Sequence, residues 1–161
     1  MTDSAAAALA HLEQVGEGRY EVLPCDPELA DTAVFCAHYG FEEAHSANAV
    51  VVKSKRGEPE FGVVMVLATC KVNNRAIRKL LQTSKASFAS ADETRDRTGM
   101  MIGGVTPFGL PEGLPIWIDS RVMALQWTIV GGGSRSVKIK VDPAELPGAV
   151  VVEDLASELG S

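Results

Sequence analysis

The chain has no Cys-x-x-Cys pair. Its three cysteines, Cys25, Cys36 and Cys70, are odd in number and widely spaced, which excludes a zinc ribbon or a dithiol redox motif and leaves reduced thiols. No hydrophobic run approaches the roughly 20 residues that cross a bilayer, so no membrane partner is expected. The alanine-rich stretch Ala5 to Ala10 has no basic flank and is bracketed by Asp3, His11 and Glu13, so it reads as a helix and not as a secretory leader. A Gly-x-x-x-x-Gly-Lys-Ser/Thr phosphate loop, a Gly-x-Ser-x-Gly nucleophile elbow and a His-Glu-x-x-His metal site are all absent. Cys36 and His38 lie two apart on an expected helix and point in different directions, which argues against a shared metal or a dyad. No metal or cofactor is expected, and the setting that these absences suit is cytoplasmic.

What is present is ordinary globular material, with 46% hydrophobic and 22% charged residues in 161, enough for a single core without staples. The charges are unevenly placed. Residues 1–45 hold nine acids against Arg19 alone, and residues 142–161 hold five acids and no base. Between Phe61 and Ala91 there is no acid, whereas Lys71, Arg75, Arg78, Lys79 and Lys85 fall within fifteen residues. That stripe suits nucleic-acid phosphates; it equally suits a solvated helix face.

Periodicity and punctuation predict interspersed helices and strands. A first helix spans 4–15, with Ala5, Ala8, Leu12 and Val15 on one face and Gly16 as terminator. A short strand at 20–23 precedes Asp26-Pro27-Glu28, which supplies a cap, a proline at the first helical position and an early acid for a helix reaching Tyr39. Gly40 ends it, and His45 is expected at the surface. The runs at 49–52 and 61–67 form a hairpin around Arg56-Gly57-Glu58-Pro59. Asn73 or Asn74 caps a helix that buries Ile77, Leu80 and Leu81 and turns the basic stripe outward. Ser90-Ala91-Asp92-Glu93 matches a capping box, with Gly99 closing that helix. Strands follow at 116–119, 128–130 and 137–141, and the tail from residue 153 forms a helix or frays. The irregular alternation predicts an α+β fold with a mixed sheet, in one domain over 1–161 whose core covers about 20–146.

The stretch richest in chemistry is Gly103-Gly104-Val105-Thr106-Pro107-Phe108-Gly109. Adjacent glycines let a ligand approach the backbone, and Pro107 stiffens the exit, so N–H groups are available to a carbonyl or carboxylate oxygen; a tight turn between strands uses the same residues. This segment resembles the Gly-x-x-x-Pro loop of the YbaK/prolyl-tRNA synthetase-associated editing domains. Its context agrees: 86–94 resembles the segment leading into that loop, Leu114-Pro115-Ile116-Trp117-Ile118-Asp119 the strand that follows it, and 129–139 the family's glycine-rich hairpin.

The resemblance implies a barrel-like mixed sheet flanked by helices, with a small pocket for the aminoacyl group at the 3′ end of tRNA. It implies ester cleavage without metal or covalent nucleophile, with loop amides holding the carbonyl and the terminal ribose hydroxyl helping to position water. By that reading Gly103, Gly104 and Asn48 are catalytic, and Thr106, Pro107, Lys53, Asp119, Gly131 and Gly132 bind substrate. Lys71, Arg75, Arg78, Lys79 and Lys85 meet the tRNA. The family places a lysine at the head of the first hairpin strand, and Asn48 stands there in this chain, since Lys53-Ser54 would be followed by Lys55-Arg56-Gly57, which cannot continue a buried strand. Gly131 stands where relatives carry a small hydroxyl residue. The implied function is trans-editing deacylation of mischarged aminoacyl-tRNA at an atypical site. The alternative is a catalytically quiet module that binds tRNA or a synthetase.

Overall fold

The computed structural model describes residues 3–14, 19–55, 57–111, 113–146 and 149–158. In chain order the elements are α1 (Asp3–Glu13), β1 (Tyr20–Pro24), α2 (Thr32–Tyr39), β2 (Ala47–Ser54), β3 (Phe61–Leu67), β4 (Cys70–Val72), α3 (Asn74–Leu80) and β5 (Ala86–Phe88). Then come α4 (Ala91–Thr98), β6 (Ile116–Asp119), α5 (Ser120–Met123), β7 (Thr128–Gly131), β8 (Val137–Val141), β9 (Ala149–Val152) and β10 (Ala156–Glu158). Short 3-10 turns lie at Pro27–Leu29, Glu43–His45 and Pro143–Glu145.

The β-branched runs pair as their composition predicts. β2 and β3 form an antiparallel hairpin with Val50 opposite Val64, and the sheet extends in the order β5-β2-β3-β6-β9, with β6 parallel to β3 and β9 parallel to β6. Both faces of this sheet are covered, which is why its central strands read as continuous apolar runs. Val51, Val63 and Met65 enter one core with Phe108, Ile118 and Ile139, and Val52, Val64 and Val66 enter a second core with Ile77, Leu81 and Leu155. A second sheet, β1-β8-β7, carries a third cluster in which Phe35, Cys36 and Cys25 of the α2 region pack on Ile129. A bridge from Ser46 to Ile129, with the Thr128 hydroxyl donating to the His45 carbonyl at 2.9 Å, joins the two sheets. The architecture is thus the expected α+β fold with a mixed, barrel-like arrangement of strands.

The caps at Asn73 and Ser90 form as the sequence predicts, the latter a complete capping box with Glu93. Three expectations are corrected. The helix from Pro27 to Tyr39 is interrupted, because the Pro27 carbonyl that would accept from residue 31 in a continuous helix takes the Arg135 Nε at 3.1 Å, and Asp31 restarts the chain as the N-cap of α2. Over its described residues, 153–158, the tail is neither helical nor frayed. β9 extends the large sheet, and β10 pairs antiparallel with β4 because the Asp119 carboxylate accepts the Ala156 N–H at 3.0 Å while Arg121 donates to the Ala156 carbonyl at 3.0 Å. His45 is half-buried, its ring stacked on Trp127 with centroids 4.2 Å apart. Val15, Gly16 and Arg56, expected to finish α1 and to open the hairpin turn, lie outside the described residues.

Candidate active site

A cavity of about 530 Å³ lies where the two sheets, α2 and the glycine-rich loop meet. β2 contributes Asn48 and Val51, the hairpin β7–β8 contributes Gly131 and Lys138, α2 contributes Thr32 and Phe35, and the loop contributes Gly103 and Val105. Phe88 and Ile102, 60% and 54% exposed, form an apolar rim.

The loop owes its shape to close backbone contact. Gly103 has φ of +88°, a region where an L side chain is strained, and a Cβ there would overlap Arg135 Nη1. Gly131 faces the loop at equally short range, since a Cβ on it would overlap the Val105 carbonyl oxygen. A side chain at this position therefore does not fit unless the loop withdraws. Gly104 donates to the Met101 carbonyl and accepts from Gly133, both at 2.8 Å, which fixes the turn. The N–H groups of Gly103 and Val105 donate to no acceptor among the described residues, and both residues line the cavity. Two unclaimed amides at a cavity wall suit an oxyanion.

Asn48 sits on β2 opposite Val66, and its Oδ1 accepts from the Thr32 hydroxyl at 2.7 Å, which leaves its amide nitrogen without a partner among the described residues. Of the residues singled out from the sequence, Asn48, Gly103 and Gly131 line the cavity. The others do not. Thr106 and Pro107 are buried beneath the loop, where Thr106 Oγ1 accepts from Phe108 N at 3.4 Å. Gly104 packs on Ser134 and Gly132 on Val137. Lys53 lies outside, in a bidentate ion pair with Glu93 at 2.7 and 2.8 Å that holds the Glu93 carboxyl below its ordinary value. Asp119, fully buried, is committed to Arg121 and to the Ala156 amide.

The basic residues gather on a different surface. Lys71 on β4, Arg75 and Lys79 on α3, and Lys85 ahead of β5 are exposed, and Arg78 is half-buried with its Nε sealed from solvent and unpartnered. None of the five takes part in an ion pair among the described residues.

Lys138 escapes sequence reasoning. In Val137-Lys138-Ile139-Lys140-Val141 the alternation assigns both lysines to a solvent face. α2 covers that face, so Lys138 is 6% exposed, with Nζ 5.5 Å from the Phe35 ring centroid, and burial pushes its ammonium pKa down. The signal is absent from the local pattern because it depends on where a distant helix docks.

Comparison with known proteins bears on the fold and the family. The Bacillus subtilis (strain 168) protein YwhH, itself uncharacterized, is 34% identical over 94 residues, 58% of this chain and 59% of that protein, so the match spans about three-fifths of the relative's length. The crystal structure of a candidate trans-editing enzyme for prolyl-tRNA synthetase superposes with a TM-score of 0.79 at 22% identity, covering 95% of this chain and 97% of that one. The hypothetical protein APE2540 superposes with a TM-score of 0.78 at 23% identity over 91% and 99%. At these identities the structures establish a shared fold. A family model for the aminoacyl-tRNA editing domain matches residues 26–148, which include α2, β2, the glycine-rich loop and the β7–β8 hairpin, every wall of the cavity; the chain belongs to that family.

Proposed function

We propose that this protein is an aminoacyl-tRNA deacylase that hydrolyses the ester of a mischarged tRNA in trans. The observation that carries the reading is the pair of unclaimed amides, Gly103 and Val105, on the wall of an acyl-sized cavity in an editing-domain fold. The ester carbonyl oxygen is placed against these N–H groups. Water then adds its oxygen to the acyl carbon, the ribose oxygen departs with the electron pair of the cleaved bond, and a proton from the water ends on the ribose hydroxyl. The carbonyl oxygen gains charge during the addition, so preformed amide donors lower the barrier with no reorganisation. The rest is placement: the apolar walls and the Phe88–Ile102 rim hold the acyl group and the terminal nucleoside. Asn48, held by Thr32, offers its amide N–H groups to the substrate or the water in the place of the family's lysine, without a formal charge.

The unpaired stripe of exposed Lys71, Arg75, Lys79 and Lys85 with half-buried Arg78 supplies the phosphate contacts, and a synthetase is the partner best suited to deliver substrate to so acidic a chain. The test is deacylation of a panel of aminoacyl-tRNAs, among them alanyl-, cysteinyl- and seryl-tRNA, by the protein and by Gly103→Ala. Hydrolysis of at least one member, slowed about 10²-fold in the variant, is the expected result. A folded protein that binds tRNA and releases no amino acid from any member favours the second reading, a quiet binding module, for which the neutral Asn48 is the motivating observation.

A further inference from the structure

Lys138 lacks the features that normally explain a buried lysine. Its ammonium forms no ion pair or hydrogen bond among the described residues and has only the face of the Phe35 ring, and the residue is 6% exposed. Its neighbours are the Phe35 ring and the thiols of Cys25 and Cys36. Of the nearby charges, Arg135 is like-signed, and Asp31 is bound to Arg135 at 3.3 Å. A buried cation without a counter-ion is costly, and its retention calls for a partner that the chain itself does not provide. Its Nζ is not among the sealed polar atoms, and the residue lines the cavity. A ligand in the cavity therefore has access to it.

The place of Lys138 says which part of a ligand it meets. It pairs with Gly131 across β7–β8, and Gly131 packs directly on Val105 of the loop whose amides face the ester carbonyl. The cavity walls include Ile129, on the same face of the β7–β8 hairpin as Lys138, and Val51 and Val130, apolar surface suited to an aliphatic stem. Of the two carboxylates on the lining, both exposed, Asp31 is held by Arg135 at 3.3 Å, and Glu43 is left to meet the α-ammonium of an aminoacyl group. A fixed cation at depth with a carboxylate outside is complementary to an amino acid that carries a second, anionic group.

We propose that Lys138 is a specificity-determining residue and that the cavity selects an aminoacyl group with a side-chain carboxylate, of the aspartyl or glutamyl kind. This assignment rests on the deacylase reading above for its substrate, and it is tested separately from it. An ammonium–carboxylate bond in a desolvated pocket discriminates against the isosteric amide by about tenfold or more.

The experiment compares aspartyl- with asparaginyl-tRNA and glutamyl- with glutaminyl-tRNA, each pair on the same tRNA, for the protein, Lys138→Met and Lys138→Gln. The expected result is a kcat/KM about tenfold or more higher for each acid than for its amide, with that ratio falling to near one in both variants. If the ratio is near one in the unmodified protein, or survives in the variants, the proposal is overturned. A uniform fall across all four substrates assigns Lys138 to a phosphate or to the fold, and also overturns it. In a parallel arm, adenosine carrying aspartate or asparagine through a non-hydrolysable 3′-amide is titrated while the lysine side-chain carbon resonances are followed by NMR. Should no tRNA be hydrolysed, tighter binding of the aspartyl compound with a shifted Lys138 signal upholds the assignment while the deacylase reading fails. Equal binding of the two compounds overturns the assignment.

Discussion

Lys138 carries a charge into a region lined by Phe35, Cys25 and Cys36, and its physical chemistry is measurable in the absence of any substrate. Burial lowers its native pKa below the ordinary 10.5, so in the window between the lowered value and 10.5 the unfolded chain binds more protons than the native one. Stability attributable to this group therefore rises with pH through that window, and below it the native state bears the full cost of the buried cation. Cys25 works against this, because burial raises its pKa above 9.0 and native-state stability falls as the unfolded thiol ionises first. Arg135 and Asp31 are the other charges acting on Lys138. Denaturant melts between pH 7 and 10 in a Cys25→Ala background isolate the lysine. Lys138→Met is expected to be more stable by about 1–3 kcal/mol at pH 7, with the advantage shrinking as pH rises. An advantage independent of pH would mean that the ammonium is solvated in the native state.

At the scale of elements, the junction of β6, α5 and β10 hangs on one carboxylate. Asp119 ends β6, caps α5 through the Arg121 N–H at 2.9 Å, pairs with the Arg121 guanidinium at 3.2 Å and accepts the Ala156 N–H of β10 at 3.0 Å. Asp119→Ala leaves the buried Ala156 amide without its acceptor and the Arg121 guanidinium with the Ala156 carbonyl alone, and a loss of about 2 kcal/mol in equilibrium unfolding is expected. Protection of the β10 amides from hydrogen exchange should fall with it; unchanged protection there would show that β4 holds β10 unaided. The same junction explains what the sequence conceals. β2, β3, β6 and β8 are legible because their β-branched runs are buried and locally punctuated, and α4 because Ser90 and Glu93 sit three apart. β10 has the composition Ala-Ser-Glu and is a strand only because Asp119 and Arg121, more than thirty residues earlier, hold Ala156. The site divides in the same way. The glycine-rich loop and Asn48 announce themselves by motif and by register, whereas Thr32 and Lys138 join them only when α2 docks across the second sheet.

Over the whole molecule, charge is partitioned. Acids dominate residues 1–45 and 142–161 and outweigh a basic middle to leave a net charge of -6, while the unpaired cations Lys71, Arg75, Arg78, Lys79 and Lys85 belong to the β4–α3 surface and the approach to β5. The acidic remainder repels a polyanion at long range, and the stripe attracts it at contact, so isolated binding to tRNA should be weak and strongly dependent on salt. Five phosphate contacts correspond to a slope of about -4 in log affinity against log salt. Fluorescence anisotropy with labelled tRNA between 50 and 200 mM salt measures it. Reversing two of the charges, Arg75→Glu with Lys79→Glu, should flatten the slope by about 2 and raise KM for deacylation, because each lost phosphate contact removes close to one released counterion. If the double variant keeps the parent slope, the acceptor stem lies on another face, and the separation of the basic surface from the cavity is then a matter of solubility alone.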